Sequence, residues 1–270
     1  MRYLYDFKSF LLHIYKNKNL IKILIVNEFK KEYLGSYFGF FWAFAQPIVF
    51  MLVIWFVFQI GFKAKPTTNG TPFFLWLITG MIPWFFFSDA LVSGTHAVVT
   101  NNFLVKKVFF RISILPLVQI GSAFIIHFFL VMSLMLSFFF YGYHFSIYWL
   151  QLPYYMACSI FLLLGLSWLT SSIRVFVKDI GNFIMVLLQI GFWATPIFWS
   201  LDSMPHKYQY LLKLNPVLYI VNGFRDTFIN HVWFWQHSTL TVYFLSLSSI
   251  IFIIGAVVFR RLRPHFGDVL

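Results

Sequence analysis

Charge is scarce in this chain. Only 10% of its 270 residues are charged, and only eight of those are acidic. A soluble domain carries about 25% charged residues to cover its surface, so a water-exposed globule is excluded. With so few acids, no paired carboxylates, Ser/His/Asp set or Asp-rich metal site falls at a membrane face, and a lipid-linked glycosyltransferase would normally need some of these. Cysteine is rarer still. Cys158 stands alone, so no intrachain disulfide forms, and none of the eight His has the local spacing of a zinc motif. No G-x-x-x-x-G-K-[ST] loop occurs, so any ATP-driven work needs another subunit. No small-residue cleavage site follows an early apolar run, and a long basic segment comes first, so a cleavable signal peptide is not expected.

What fills the chain instead is apolar: 60% hydrophobic residues, 23% aromatic, mean hydropathy +0.80. The hydrophobic runs reach the ~20 residues that a helix needs to cross a ~30 Å hydrocarbon core. Lipid offers no partner to backbone N–H and C=O groups, so such runs become helices. Six spans are read, at Tyr37–Ile60, Phe73–Val92, Ile114–Tyr141, Trp149–Ser172, Ile180–Trp199 and Leu240–Phe259. The expected fold is an all-α integral membrane protein. Residues 1–36 form a cytoplasmic or interfacial segment, residues 37–260 the transmembrane domain, and residues 261–270 a cytoplasmic tail. Fifteen of the twenty Lys and Arg fall on the side of the N-terminal segment and the tail, and five (Lys63, Lys65, Lys207, Lys213, Arg225) on the other. The positive-inside rule then puts both termini in the cytoplasm. The net charge of +12 is distributed along span flanks, as topology and anionic lipid require, and does not form a nucleic-acid patch.

Three segments are not spans. In the N-terminal segment Ile21, Leu24, Ile25, Phe29 and Tyr33 recur at helical spacing, which predicts an amphipathic interfacial helix. Thr100–Ser113 mixes Phe103, Leu104, Val108 and Phe109 with Asn101, Lys106, Lys107 and Arg111. It reads as a short amphipathic cytoplasmic helix, either an ordinary basic connection or a docking element for a cytoplasmic partner. Ser200–Thr239 is too apolar for a solvated loop and too polar to span. Pro205 and Pro216 are plausible helix starts there, and two short re-entrant helices dipping into the outer leaflet fit best. Irregular backbone at membrane depth needs protein or a water-filled cavity around it, which makes this region a candidate gate.

Few side chains inside the spans carry chemistry. His127 in the third span reads most simply as hydrogen-bonded to a neighbouring helix; the sharper alternative is a proton relay. Asp89, placed near the outer end of the second span and within reach of the interface, is its one companion. Trp42, Trp84, Trp168 and Trp193 are either interfacial belt residues or lining for a conduit. Aromatic faces stack on sugar C–H surfaces and keep a polar tip.

Several local patterns then converge. Ser36-Tyr37-Phe38-Gly39-Phe40-Phe41-Trp42-Ala43 with Pro47, Gly80-Met81-Ile82-Pro83-Trp84-Phe85, Lys106-Lys107-Val108-Phe109-Phe110 and Phe176-Val177-Lys178-Asp179-Ile180 occur in order. Thr195-Pro196-Ile197, Asp202-Ser203-Met204-Pro205, Leu214-Asn215-Pro216 and Phe224-Arg225-Asp226 follow. In this series the chain resembles the membrane subunit of ABC-2 type polysaccharide exporters, the O-antigen, capsule and teichoic-acid permeases. It departs from the family pattern at Phe38, Arg111, Val177 and Lys178, where Leu, Pro, Phe and Arg are usual.

The resemblance implies a homodimer forming one channel in the bacterial inner membrane, with two copies of a separate cytoplasmic ABC ATPase beneath. No cofactor is expected in this chain, since ATP and Mg belong to the partner. The implied cargo is a lipid-linked polysaccharide, O-antigen foremost. Tyr37, Trp42, Trp84 and Trp193 are the candidate channel-lining residues. Pro205, Asn215, Pro216, Arg225 and Asp226 are the candidates for the outer gate. Asn101, Phe103, Lys106, Lys107, Phe109 and Arg111 are those for coupling to the ATPase. The rival readings are an ABC-2 exporter of small lipophilic compounds, a membrane enzyme acting on lipid-linked sugars, and a proton-driven carrier using His127.

Overall fold

The computed structural model describes residue 12 and residues 15–33, 38–63, 70–105 and 111–270, and all regular structure among them is helical. The helices are α1 (Lys18–Tyr33), α2 (Gly39–Phe56), α3 (Phe73–Thr100), α4 (Leu115–Phe140), α5 (Leu152–Arg174), α6 (Ile180–Ala194), α7 (His206–Lys213), α8 (Pro216–Arg225) and α9 (Ser238–Leu262). A π turn, Val57–Gly61, extends α2. Five helical stretches among the described residues are long and apolar enough to cross a membrane: Phe41–Gly61, Phe73–Thr100, Ile112–Phe140, Ile147–Arg174 and Phe234–Val269.

The boundaries follow local chemistry. α4 and α5 each begin with a proline in the first turn, where the missing N–H costs nothing and the fixed φ suits a helix. α3 outruns its expected end at Val92 and continues to Thr100. Its later polar residues stay helical because their hydroxyls bond back to the helix: Ser93 Oγ donates to the Asp89 carbonyl at 2.8 Å and Thr95 Oγ1 to the Leu91 carbonyl at 2.7 Å. Thr95 also meets Thr170 of α5 at 2.8 Å in the buried seam. Asp89 is not near the outer end of the second span: on the expected topology that span enters from outside at Phe73, so Asp89 lies in its inner half. It lies sixteen residues from Phe73 and eleven from Thr100, about 24 Å and about 17 Å along the axis, far from either end. α6 is shorter than expected. It stops at Ala194, where Thr195 turns extended (ψ 132°) as a residue before proline tends to do. Its 15 residues reach about 22 Å.

α3 is the central helix. α4, α5 and α8 pack most closely around it, α9 lies along α5, and α1 rests on α4. Within its most apolar window 78% of α3 is buried, against 11% for the α2 span. α2 therefore shows most of its surface to something outside this chain. Ile21 and Phe29 of α1 are buried, and Glu28 accepts a bond from Gln119 Nε2 of α4 at 2.9 Å.

α5 and α9 approach closely at a pair of glycines. A Cβ on Gly165 would stand 2.7 Å from the Cα of Phe252, and one on Gly255 would strike the Gly165 carbonyl. Small residues are what let two backbones come together in lipid, where no hydrophobic force drives association. The expected result for Gly165→Leu or Gly255→Val is a loss of roughly 1–3 kcal/mol, read as a lower Tm in detergent. Gly61→Ala, with open space around it, leaves the Tm unmoved.

Candidate functional site

The hairpin between α6 and α9 holds the densest polar network among the described residues. α7 follows Pro205 and buries none of its residues. α8 is different. Asn215 caps it, accepting from the Val217 N–H at 3.0 Å while its own Nδ2 donates to Thr195 Oγ1 at 2.9 Å. Pro216 supplies the first turn. Val217, Leu218, Ile220, Val221 and Phe224 are then buried, so the expected pair of short helices divides into an exposed arm and an arm seated in the bundle.

Arg225 closes α8 and is 6% exposed. Its Nη1 and Nη2 donate to the carbonyls of Pro196 and Ile197, both at 2.7 Å. Its guanidinium carbon lies 3.8 Å from the centroid of the Trp76 ring, a cation–π contact. Gly80, one helical turn after Trp76, makes the space: a Cβ there would sit 2.9 Å from Arg225 Nη2. The next residue, Asp226, does not pair with Arg225. It accepts from Asn230 Nδ2 at 2.8 Å and lies 3.4 Å from His237 Nε2. A buried charge is tolerated only when it is given partners; two carbonyls and an aromatic face engage that of Arg225, while its Nε–H has no hydrogen bond among the described residues.

Further bonds anchor the hairpin to the spans. Gln151 of the turn before α5 donates to the Val232 carbonyl at 2.9 Å and accepts from the Phe234 N–H at 3.0 Å. Tyr154, Tyr219 and Thr241 form a chain of hydroxyls (2.9 and 3.0 Å), and Thr241 donates to the Phe234 carbonyl at 2.9 Å. Tyr243 donates to the Leu214 carbonyl at 2.8 Å. Among these groups lies a cavity of about 650 Å³, walled by Trp76, Trp199, Tyr219 and Tyr243 and by Asn215, Asn222 and Asn230.

The candidate residues separate by environment. Pro205, Asn215, Pro216, Arg225 and Asp226 all belong to the hairpin, and the last four share the cavity wall. Trp42 and Trp193 are each 55% exposed, whereas Trp84 is 5% exposed and wedges against Phe192 and Gly191 of α6. Tyr37 lies outside the described residues, as do Lys106, Lys107 and Phe109. Asn101 is buried and donates to the Ala97 carbonyl at 3.0 Å. Phe103 is exposed on the single helical turn Asn102–Val105, and Arg111 stands half-buried before α4. His127 stacks on Phe86 with centroids 4.5 Å apart and reaches the Ile82 backbone of the neighbouring helix α3 as expected, although neither ring nitrogen attains good hydrogen-bond geometry. Sequence reasoning misses Trp76 and Gln151. Trp76 is legible, since its i, i+4 spacing to Gly80 puts both on one helix face; no local signal marks Gln151.

Arg225→Lys removes the planar fork and cannot serve two consecutive carbonyls at once. The expected outcome is a hairpin cut faster by protease in the purified protein, with a stability loss of roughly 2–3 kcal/mol. Tyr210→Ala on exposed α7 is expected to leave stability unchanged.

The family model for ABC-2 type transporters matches residues 19–229. The O-antigen export system permease protein RfbA of Klebsiella pneumoniae is 26% identical over 254 residues, covering 93% of this chain and 95% of the relative. A second RfbA from the same organism is 25% identical over the same length. The RfbA of Myxococcus xanthus is 27% identical over 221 residues, 81% of this chain and 83% of the relative. The matched region runs from α1 through the hairpin that carries Arg225, and with that extent matched the chain belongs to the ABC-2 type transporter family, as a transporter membrane subunit and not an enzyme.

Proposed function

We propose that the chain is the channel-forming permease subunit of an ATP-driven exporter that moves a lipid-linked surface polysaccharide, of the O-antigen class, across the bacterial inner membrane. The observation that carries this reading is the near full-length similarity to O-antigen export permeases, 93% of this chain against 95% of the relative. The absence of a nucleotide-binding loop in the sequence assigns ATP and Mg to a separate ATPase, two copies of which work beneath a homodimer of this chain. The sparse burial of the α2 span, 11% of its window, supports an arrangement in which a second copy covers part of it.

In this reading α6 is the sixth crossing, shorter than the other five and completed by the extended Thr195–Ser200 segment. The hairpin re-enters from the outer side as the gate, residues 37–260 act as one transmembrane unit, and both ends stay in the cytoplasm. α1 lies at the inner interface, and residues 100–113 face the ATPase as the coupling element. Trp42 and Trp193, exposed on α2 and α6, are the aromatic lining. The hairpin's anchorage through Arg225 gives the motor something to move. A shift of α6 carries the Pro196 and Ile197 carbonyls, and with them the end of α8.

Deletion of the gene is expected to abolish surface polysaccharide while lipid-linked glycan accumulates inside, and plasmid-borne wild type restores export. Unchanged surface glycan in the deletion strain would refute the assignment. For topology, a cysteine replacing exposed Lys207 in a Cys158→Ser background reacts with an impermeant thiol reagent from outside, whereas a C-terminal tag is digested only from the cytoplasmic side. Phe103→Ala is expected to uncouple ATP hydrolysis from export at least about tenfold if its side chain packs on the ATPase as a buried aromatic anchor, with assembly checked by co-purification.

A further inference from the structure

Between Phe73 and Val99 the central helix α3 has one exposed residue, Asp89, and that residue is also its only formal charge. No hydrogen bond or ion pair engages the Asp89 carboxylate among the described residues; Ser93 bonds only to its backbone carbonyl. A carboxylate facing hydrocarbon at mid-depth costs about 2.5–3.5 kcal/mol or more, and residues of this kind face a bundle interior or a water-filled cavity. The surroundings of Asp89 are built accordingly. It opens onto a crevice of about 350 Å³ between α2, α3 and α4, which Gln46 and Ser88 also line, with His127 in its wall. His127 is 1% exposed, with both ring nitrogens lacking a hydrogen bond of good geometry. Phe50 and Phe85, 5.9 Å apart and edge to face, form the apolar side.

Planar polar side chains that accept and donate beside an aromatic wall suit one chemistry above others: hydroxyl groups carried on a ring with C–H faces. Among the described residues no three metal-ligating side chains gather anywhere. We propose that the crevice formed by Gln46, Ser88, Asp89 and His127 is a hydroxyl-binding subsite on the translocation path, contacted by sugar rings of the passing polymer. The inference rests on the polysaccharide reading above. Asp89 lies well inside α3, sixteen residues from Phe73 and eleven from Thr100, so a polymer that reaches it has left bulk water. A carboxylate there replaces water for the sugar hydroxyls. The contact is single and open-sided, which favours sliding over retention.

The sole native cysteine makes the test clean. In a Cys158→Ser background, the Asp89→Cys variant of the assembled transporter permease carries one thiol. The expected results are labelling by a charged, water-soluble methanethiosulfonate and slower labelling in cells that synthesise the glycan than in cells lacking its glycosyltransferases. Leu136→Cys, exposed on the opposite side of α4 from His127, stays unlabelled. Asp89→Leu lowers export about tenfold or more, the factor carried by a lost hydrogen bond to a charged group. Asp89→Asn, which still bonds hydroxyls, loses much less. An Asp89→Cys variant that does not react, labelling indifferent to the glycan, or Asp89→Asn as defective as Asp89→Leu would each overturn the subsite, the last pointing to a proton relay. A failure of the polysaccharide reading itself is seen separately, as unchanged surface glycan when the gene is deleted.

Discussion

A helix that stops short in a bilayer leaves carbonyls with no water to bond, and this structure is arranged around one such stop. α6 breaks at Ala194 because Pro196 cannot continue it. Several oxygens at the break find donors. The Gly191 carbonyl takes the Thr195 N–H at 2.8 Å, and the Trp193 carbonyl takes the Trp199 indole N–H at 3.2 Å. The Pro196 and Ile197 carbonyls take the two arms of Arg225. The last pair matters most, since it joins segments nearly thirty residues apart. Without a break in α6 there would be nothing for Arg225 to satisfy. Without Arg225 the break would leave two buried acceptors without these donors, each at a cost of about 1–3 kcal/mol or more.

That mutual dependence explains why the hairpin folds back into the bundle and does not lie loose on the surface. α8 brings its own apolar face, but an apolar face would be equally content in lipid. What specifies its seat is directional: the fork of Arg225, the amide of Asn215 on Thr195, and the hydroxyl chain from Tyr154 to Thr241. Gly80 completes the fit by giving the guanidinium room against α3. α7 has no such bonds into the spans and no buried residue. The two short helices therefore differ in stiffness by construction: one is held at its end by a buried charge, the other is free to change its neighbours. This combination of a fixed pivot and a loose leaf suits the gate role proposed for the hairpin.

Much of this was legible in the sequence, for identifiable reasons. Long apolar runs announce helices because lipid permits little else, and positions such as Leu115–Phe140 and Ser238–Leu262 agree with the reading to within a few residues. The paired helices after α6 were legible from Pro205 and Pro216. Arg225 was visible as a charge in an apolar stretch, though its partners were not, since backbone carbonyls at Pro196 and Ile197 leave no mark on composition. Errors arose where hydropathy and hydrogen bonding disagree. Ser93, Thr95 and His96 lower the local hydropathy and suggest an end to the second span, yet the hydroxyls bond inward and the helix runs on to Thr100. Asp89 was misplaced for a different reason: the span end close to it, at Val92, is the cytoplasmic one on the expected topology. His127 was expected to reach a neighbouring helix and does so at the Ile82 backbone, while the face of Phe86, which no local pattern marks, covers its ring.

The burial pattern also bears on the proposed pairing of two copies. α3 is sheathed by its own chain on nearly every side, whereas α2 and the outward face of α6, with Phe183, Val186, Leu187, Ile190 and Trp193, remain open. Lipid can cover the apolar part of that surface at no cost. It cannot cover Asp89, nor the exposed Gln46, Asn182 and Gln189, without desolvating groups that lack partners. A helix bundle meant to live alone in lipid would turn such side chains inward. Asp89 and Gln46 line the crevice between α2, α3 and α4, while Asn182 and Gln189 lie on the exposed face of α6. Water held against these side chains would account for their exposure, and in the proposed dimer the second copy supplies a wall that holds it.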